Sequence, residues 1–120
     1  MDDGNAWYAE KGVAGAAGLF STVEDVQKLV DMLLHHGKAG SAQFISDQTI
    51  NTFLTKDKFL NGLGWMMDPL NPVIKGGPAG SFGHTGFTGT SIAVVPSRQL
   101  SVILFINREN MGLIDGKAYY

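Results

Sequence analysis

The chain has 120 residues, a length that fits one domain or part of a larger one. Its apolar content of 44% is ordinary for a globular protein, and its 17% of charged residues argues against disorder through charge repulsion. The net charge of −2 provides no basic surface for nucleic acid or an anionic membrane. The absence of cysteine excludes disulfides, thiolate metal sites and a cysteine nucleophile.

Hydrophobic segments are short throughout the sequence. The longest apolar runs, such as residues 102–106, are far too short to span a bilayer. The first residues, MDDGNAWY, are acidic and lack the apolar core of a secretory signal peptide. The sequence therefore predicts no membrane span and carries no address for a compartment.

The clearest predicted helix follows an irregular segment over residues 1–20. It begins at Ser21 or Thr22, where Ser21-x-x-Glu24 fits a capping box, and Gly37 is the predicted C′ residue. Its apolar side chains recur at intervals of three and four residues, as on one face of a helix. They are Val23, Val26, Leu29, Val30, Leu33 and Leu34.

A second, shorter helix is predicted to start at Ser46. Its inward side chains should be Ile50, Phe53 and Leu54. A short strand is expected within residues 62–69, where prolines end it, and residues 71–81 have the composition of a loop. The aromatic and sulfur side chains of that strand, from Trp65 to Met67, are interpreted as core or pocket wall.

Three strands are predicted in the last third of the chain, at residues 82–85, 90–95 and 100–106. The last is almost entirely apolar, which is typical of a strand covered on both faces. The expected fold class is α+β, an antiparallel sheet of about three C-terminal strands packed with helices, in one unit over 1–120 without an internal boundary. The rest of the chain is too short to cover both faces of such an apolar sheet and to protect its edges. We therefore expect part of the architecture to be missing.

The segment GHTGFTG, residues 83–89, places an imidazole, two hydroxyls and three glycines within seven residues. Glycines allow a ligand to approach the backbone, and the side chains can bind a carboxylate or move a proton. The residues alone leave two interpretations open. One is the wall of a site, and the other is a glycine-rich hairpin in which a backbone carbonyl satisfies His84.

A family resemblance bears on that choice. HTGFTGTSIAVVP followed by LSVILFINR resembles the third active-site motif of serine β-lactamases and penicillin-binding proteins, which reads Lys-Thr-Gly or His-Thr-Gly. The upstream segment DGNAWYAEKGVAGAAGLFSTVEDVQKLVDMLL is similar to the branch that includes class C β-lactamases, carboxylesterases and D-amino-acid peptidases. The two segments cover most of the chain in the right order. The resemblance implies an incomplete, C-terminal portion of a β-lactamase/transpeptidase-like fold.

The resemblance also implies roles for particular residues. His84 takes the place of the basic residue that positions substrate near the nucleophile, and Thr85 would hydrogen-bond the substrate's carboxylate or carbonyl. Gly86 would keep the strand free of a side chain where substrate lies. The backbone amide of Phe87 would be one of two oxyanion-hole donors. Thr88 completes this predicted substrate-binding segment.

Two residues depart from the family pattern, and the first of them affects the expected substrate. A histidine with an ordinary pKa of about 6.5 is only partly charged at pH 7, whereas lysine is permanently charged. The replacement by histidine therefore favours ester, amide or peptide-like substrates over carboxylates. Ala16 replaces a histidine that is common in relatives. Asn107, at the end of the last predicted strand, is a further candidate substrate contact, although a structural role at the strand end is also open.

The family's nucleophile is missing from this sequence. None of the seven serines is followed three residues later by lysine, and Tyr-x-Asn and Ser-x-Asn are absent. A serine without an adjacent base is a weak nucleophile. The resemblance therefore implies that the missing N-terminal part of the same protein supplies the nucleophile, and that this chain alone is inactive. The implied substrate is a small or peptidoglycan-like acyl compound, with no metal or organic cofactor.

A non-catalytic alternative stays open. The chain could be a binding or assembly module that uses the same sheet to bind a peptide, or that self-associates through an open sheet edge. His35 and His36 close the predicted helix, where cations suit the helix dipole. Adjacent helical positions point in different directions, so a shared metal ion is not expected.

Overall fold

The computed structural model describes residues 18–107 and the backbone of residues 113–114 and 117–118. The predicted glycine-rich segment that includes Ala16 lies outside the described residues. The elements in the described ranges are α1 (Val23–Leu34), β1 (Lys38–Ala39), β2 (Ala42–Gln43), α2 (Asp47–Phe53), β3 (Asn61–Gly62), β4 (Trp65–Met66), β5 (Phe82–Thr85), β6 (Ser91–Val95), β7 (Leu100–Leu104), β8 (Leu113–Ile114) and β9 (Lys117–Ala118).

The central sheet confirms the α+β class, with strands in the order β3-β4-β5-β6-β7 and every neighbouring pair antiparallel. It has five strands rather than about three. The region predicted as one short strand is a two-strand hairpin, β3 and β4, because Gly64 at φ 75° turns the chain between them. The hairpins β1–β2 and β8–β9 form two separate small sheets.

Helix α1 begins at Thr22, one of the two predicted caps, and its C′ position lies one residue before the predicted one. Its N-cap is Thr22, whose hydroxyl accepts the Asp25 backbone N–H at 3.2 Å, so the predicted box on Ser21 does not form. At the other end His36, at φ 56°, takes the left-handed position predicted for Gly37. Gly37 follows it, and its N–H donates to the Met32 carbonyl at 2.8 Å in a Schellman-type arrangement.

Helix α2 confirms the predicted cap at Ser46, whose hydroxyl accepts the Thr49 N–H at 3.1 Å. Ile50 is buried and Leu54 is partly buried against the core. The prediction that Phe53 points inward is wrong, since 43% of it is exposed. Ile50 and Leu54 are four residues apart on one helical face, and Phe53 falls beside that narrow stripe.

The core lies between α1 and one face of the central sheet. Its buried members are Val30, Leu33, Ile50, Met67, Phe82 and Val94. The Phe82 ring meets Trp65 edge to face at 4.9 Å, which confirms that the β4 aromatic belongs to the core rim. The Ser101 hydroxyl of β7 donates to the Gln27 side-chain oxygen of α1 at 2.9 Å, so the helix also reaches the edge strand.

Strand β7 is the edge of the sheet, and its two faces are not alike. Leu100, Val102 and Leu104 are 46%, 59% and 48% exposed, while the residues between them are partly buried. The prediction that this strand is covered on both faces is therefore wrong for the described part of the chain. Helix α1 covers the face of Ser101 and Ile103, and no described element covers the other. None of the described helices is long and apolar enough to cross a membrane.

Candidate functional site

The predicted site strand, β5, contributes to both faces of the sheet. Side chains alternate along a strand, so Phe82 and His84 share the face that packs on α1, and Gly83 and Thr85 share the opposite face. Phe82 is fully buried in the core, whereas His84, at the end of the strand, is exposed. His84 and Thr85, adjacent in the predicted motif, thus project from opposite faces.

The backbone of β5 is open on one side at Thr85. The Gly86 N–H donates to the Thr90 carbonyl at 2.8 Å, so Gly86 continues the ladder towards β6. Because successive residues of a strand alternate their hydrogen-bonding direction, the N–H and C=O of Thr85 point away from β6. On that side β4 pairs with β5 only at Gly83. Within the described residues, no strand lies beside Thr85 on this edge.

The His84 ring lies close to this open edge. Its Nδ1 is 2.7 Å from the Thr85 carbonyl oxygen. A carbonyl only accepts, so Nδ1 carries the proton and Nε2 is the nitrogen left for another partner. The contact matches one of the two interpretations of the sequence, a histidine satisfied by a backbone carbonyl. It also places an imidazole next to the main-chain groups of the motif.

Gly86 starts a tight turn that returns the chain to β6. The Gly89 N–H donates to the Gly86 carbonyl at 3.0 Å, and Gly89 adopts φ 102°. A Cβ placed on Gly86 would overlap the Thr90 hydroxyl oxygen. The sequence predicted that glycine here leaves room for a substrate, and what the structure shows is that it leaves room for Thr90. Phe87, inside the turn, has a side chain that is 68% exposed.

An open cleft of about 350 Å³ lies between this turn and the loop that precedes β5. Its lining residues are Pro72, Val73, Thr85, Gly86, Gly89, Thr90 and Ser91. Thr85 faces Ser91 directly across the strand pair, which places both hydroxyls on the same face of the sheet. The structure therefore brings two of the predicted residues, Thr85 and Gly86, into one concave site.

Four other predicted residues do not line the cleft. They are His84, Phe87, Thr88 and Asn107. Thr88 belongs to the turn, and Asn107 lies beyond the end of β7. Sequence reasoning missed Thr90 and Ser91, although both directly follow the motif. It also missed Pro72 and Val73, which carry no signal beyond loop composition and reach the site only through tertiary folding.

The loop wall of the cleft is held in place by specific contacts. The Val73 N–H donates to the Asn71 side-chain oxygen at 3.0 Å, and the Asn71 amide nitrogen lies 3.1 Å from the Met66 sulfur. Ile74 is buried. A Cβ on Gly83 would approach Val73 Cγ1 to 2.8 Å, so the loop sits directly on β5 at a position that only glycine allows. The wall is consequently part of the folded scaffold.

The cleft is electrically neutral. None of its lining residues is ionisable. On α1, outside the cleft, the Lys28 ammonium holds the pKa of Asp25 below its ordinary value through a hydrogen bond of 2.7 Å, and Asp25 in turn raises the pKa of Lys28. Across the described residues, no three histidine or acidic side chains are grouped to hold a metal ion. His36 instead contacts the Asp47 carboxylate at 2.6 Å on the surface.

Comparison with known proteins places the sequence of this chain in a family. The family model described as Beta-lactamase matches residues 1–119. The chain belongs to the beta-lactamase family. This result confirms the resemblance based on the His-Thr-Gly and upstream helix segments, and with it the assignment to hydrolases related to β-lactamases and penicillin-binding proteins.

Several bacterial proteins are similar to the chain. Proteins from Salmonella agona, Salmonella paratyphi B and Salmonella newport, provisionally named D-alanyl-D-alanine carboxypeptidases, are 30% identical to it over 125 residues. Each match includes 98% of this chain and 29% of the relative. The chain thus spans less than a third of the length of these beta-lactamase family relatives.

Proposed function

We propose that this chain forms one wall of the acyl-transfer site of a serine hydrolase and that the nucleophile lies outside these 120 residues. The observation that carries the proposal is the open edge of β5 at Thr85, which adjoins a cleft lined by Thr85 and Gly86. An extended substrate can add to such an edge through main-chain hydrogen bonds. Family membership and the missing Ser-x-x-Lys support the same division of the site.

The proposal assigns a separate role to each residue of the motif. The Thr85 hydroxyl, in the cleft, donates to a substrate carbonyl, and the Phe87 amide stabilises the oxyanion that forms during acyl transfer. His84 acts from outside the cleft, near the end of β5, where its Nδ1 contacts the Thr85 carbonyl. It leaves that contact or uses Nε2 to reach the reacting groups. Thr88 and Asn107, outside the cleft, are assigned to more distant parts of the substrate.

The proposed substrates are acyl compounds with a D-alanine-like unit, as esters or amides. This choice follows the names of the Salmonella relatives. A cell-wall peptide, a β-lactam and a small ester all present a carbonyl that the same wall can hold. We assign the serine and its base to a part of the protein outside these 120 residues, and the match to the Salmonella relatives, which includes 29% of their length, supports this assignment.

Binding and turnover by the 120-residue chain test the proposal. We expect N-acetyl-D-alanine methyl ester to bind and Thr85→Val to weaken binding at least fivefold, because the variant keeps the shape and loses the hydroxyl. Thr52→Val is the matched control, since the Thr52 hydroxyl donates only within α2, to the Gln48 carbonyl. Dissociation constants come from ligand-observed NMR. Equal losses in the two variants would contradict the assignment of Thr85.

A turnover assay tests the second half of the proposal. We expect the chain alone to leave a chromogenic cephalosporin and short nitrophenyl esters unhydrolysed above the buffer rate. Turnover that a serine acylator blocks would show that a nucleophile is present in these 120 residues. That result would overturn the placement of the nucleophile elsewhere and leave the binding role of Thr85 to be judged by the first experiment.

A second candidate function is assembly through β7. The strand is a sheet edge, and one of its faces exposes Leu100, Val102 and Leu104. Edge strands with apolar side chains pair readily with other chains. Sedimentation velocity over a range of concentrations tests the idea. We expect association that Val102→Lys abolishes, and a wild-type chain that stays monomeric at every concentration would exclude this function.

A further inference from the structure

A short loop with exposed apolar side chains leads into β3, which lies at the opposite edge of the central sheet from β7. We call residues 56–63 the apolar loop. Its Phe59, Leu60 and Leu63 are 67%, 44% and 54% exposed. Phe53, at the end of α2, is also exposed, and its carbonyl accepts the Leu63 N–H at 2.9 Å. The exposed phenylalanine of α2 therefore lies next to the apolar loop.

The conformation of the apolar loop is fixed by hydrogen bonds to Asp57. The Asp57 carboxylate oxygen Oδ1 accepts the Phe59 N–H at 2.8 Å and the Asn61 N–H at 2.9 Å. The Asp57 backbone N–H donates to the Asn61 carbonyl at 2.8 Å, and its carbonyl accepts the Leu60 N–H at 3.1 Å. Because these bonds already order the loop, it loses little conformational entropy when it binds a partner.

Leu60 is held in a strained backbone conformation within this loop. Its φ of 63° lies in the left-handed region, which a leucine rarely adopts. Glycine would relieve the strain but would also remove the exposed side chain. Backbone strain that is held by surrounding bonds is concentrated at functional positions. The strain at Leu60 therefore directs attention to the exposed side chains of the apolar loop.

Two lysines accompany these apolar side chains. Lys56 and Lys58 stand on either side of Asp57, so two cations and one anion give the segment a formal charge of +1, whereas the chain carries −2. Within residues 18–107 neither lysine forms an ion pair. The Lys58 ammonium lies 4.9 Å from the centre of the Phe59 ring. A cation and an exposed aromatic ring thus occupy the same part of the surface.

This combination of side chains distinguishes between classes of partner. Lysine is depleted in protein–protein interfaces, which argues against a protein as the partner of the apolar loop. At an anionic membrane surface, apolar side chains enter the boundary between headgroups and acyl chains, and lysines extend their ammonium groups to the lipid phosphates. Apolar and cationic groups side by side are complementary to such a surface.

We propose that the apolar loop is a contact site for an anionic lipid surface. Phe59 and Leu60 enter the headgroup boundary, and Lys56 and Lys58 contact the phosphates. The contact is weak and reversible, because two lysines supply the attraction and the net charge of −2 adds none. The site is separate from the cleft beside β5, so the inference does not depend on the proposed hydrolase function.

Sedimentation with lipid vesicles tests the proposal on the 120-residue chain. We expect stronger binding to vesicles of phosphatidylglycerol and phosphatidylcholine than to phosphatidylcholine alone, with the difference lost in high salt. Phe59→Ser should weaken binding to the anionic vesicles by at least about tenfold. Phe44→Ser is the matched control, because Phe44 is 69% exposed but has no lysine within five residues in sequence, and it should bind like the wild type.

Two further variants separate the contributions of charge and strain. The double variant Lys56→Gln, Lys58→Gln should weaken anionic binding by about fivefold for each lysine and leave binding to neutral vesicles unchanged. Leu60→Gly relieves the left-handed strain, so it should not lower the melting temperature, and it should still weaken vesicle binding. A purely structural role for Leu60 would leave vesicle binding unchanged.

Several outcomes would overturn the proposal. They are the absence of vesicle binding, equal binding to anionic and neutral vesicles, and equal affinities of Phe59→Ser and Phe44→Ser. Loss of binding in Val102→Ser, with Phe59→Ser unaffected, would overturn it by placing the contact on the exposed face of β7. Self-association without lipid that Phe59→Ser abolishes would overturn it by assigning the apolar loop to a protein interface.

Discussion

The two faces of the central sheet are built from the same strands and have opposite character. On the face towards α1, Phe82 and Val94 are fully buried and belong to the core. On the opposite face the same two strands place Gly83, Thr85 and Ser91, which are small or polar, and Thr85 and Ser91 line the cleft. Further along that face, Val102 is 59% exposed.

This contrast indicates that one face of the sheet stabilises the fold and the other is available for binding. Helix α1 converts one face into a packed core, which fixes the position of β5. The other face is free of large side chains at the motif, so the backbone and hydroxyls of Thr85 and Ser91 are accessible there. A strand can serve both purposes because its side chains alternate between the faces.

The largest expected effect comes from truncating the core face. Phe82→Ala should lower the free energy of unfolding by about 3–5 kcal/mol, because it removes a fully buried ring that also contacts Trp65. Val102→Ala, on the exposed face, should change it by less than about 0.5 kcal/mol. Urea denaturation followed by circular dichroism measures both. Similar losses in the two variants would mean that the exposed face is covered in solution.

An intermediate effect is expected at the cleft, where Gly86 packs against Thr90. Gly86→Ala should cost about 1–3 kcal/mol of stability, since the added methyl group overlaps the Thr90 hydroxyl. Thr90→Ala removes that oxygen, and the remaining Thr90 Cβ would lie at an ordinary 3.5 Å from the new methyl group. The double variant should therefore recover most of the loss in a double-mutant cycle.

The same cycle shows why glycine is needed at this position. If the double variant is as stable as Thr90→Ala and still binds the D-alanine ester, the glycine serves the packing of the turn. If stability recovers and binding does not, the glycine also leaves room for the substrate. A double variant as unstable as Gly86→Ala would contradict the predicted contact with Thr90.

The smallest effect is expected on the solvent side of α1, away from both faces of the sheet. Lys28 lowers the pKa of Asp25 in the folded chain. The ion pair therefore contributes stability above the unfolded pKa of Asp25 and loses it as the pH falls through the lower, folded pKa. Because both side chains are exposed, the contribution is small.

The Asp25→Asn variant measures this contribution by comparison with the wild type. Its stability should match the wild type at about pH 2 and fall slightly below it at neutral pH, in urea titrations at a series of pH values. The difference should shrink in high salt, which screens an exposed pair. A larger difference in acid than at neutral pH would contradict the sign of the predicted effect.

Local features of the fold could be predicted from the sequence with good accuracy. Periodic apolar residues and side-chain caps depend on neighbours within one or two turns, so α1, the Ser46 cap and the strand at residues 82–85 are confirmed. The errors concern longer-range packing. Phe53 is exposed, β7 is covered on one face only, and the single strand predicted within residues 62–69 is a two-strand hairpin that extends the sheet.

The candidate site divides in the same way. The His-Thr-Gly segment was recognisable because its residue types and order resemble a family motif, and the family match confirms that resemblance. The contribution of Val73 was not predictable, since its loop reaches β5 only because Gly83 lacks a side chain and Asn71 holds the loop.

By itself, the sequence determined the family, the α+β class, the position of the motif strand and the absence of a Ser-x-x-Lys nucleophile within these 120 residues. The tertiary structure decided that His84 and Thr85 lie on opposite faces, that no strand within residues 18–107 pairs with the outer backbone edge of Thr85, and that a neutral cleft adjoins it. The physical reason is that residue types and local periodicity are properties of neighbouring residues and can be read directly from the sequence. The pairing of strands, and the loop that packs on a glycine, depend on contacts between residues far apart in sequence.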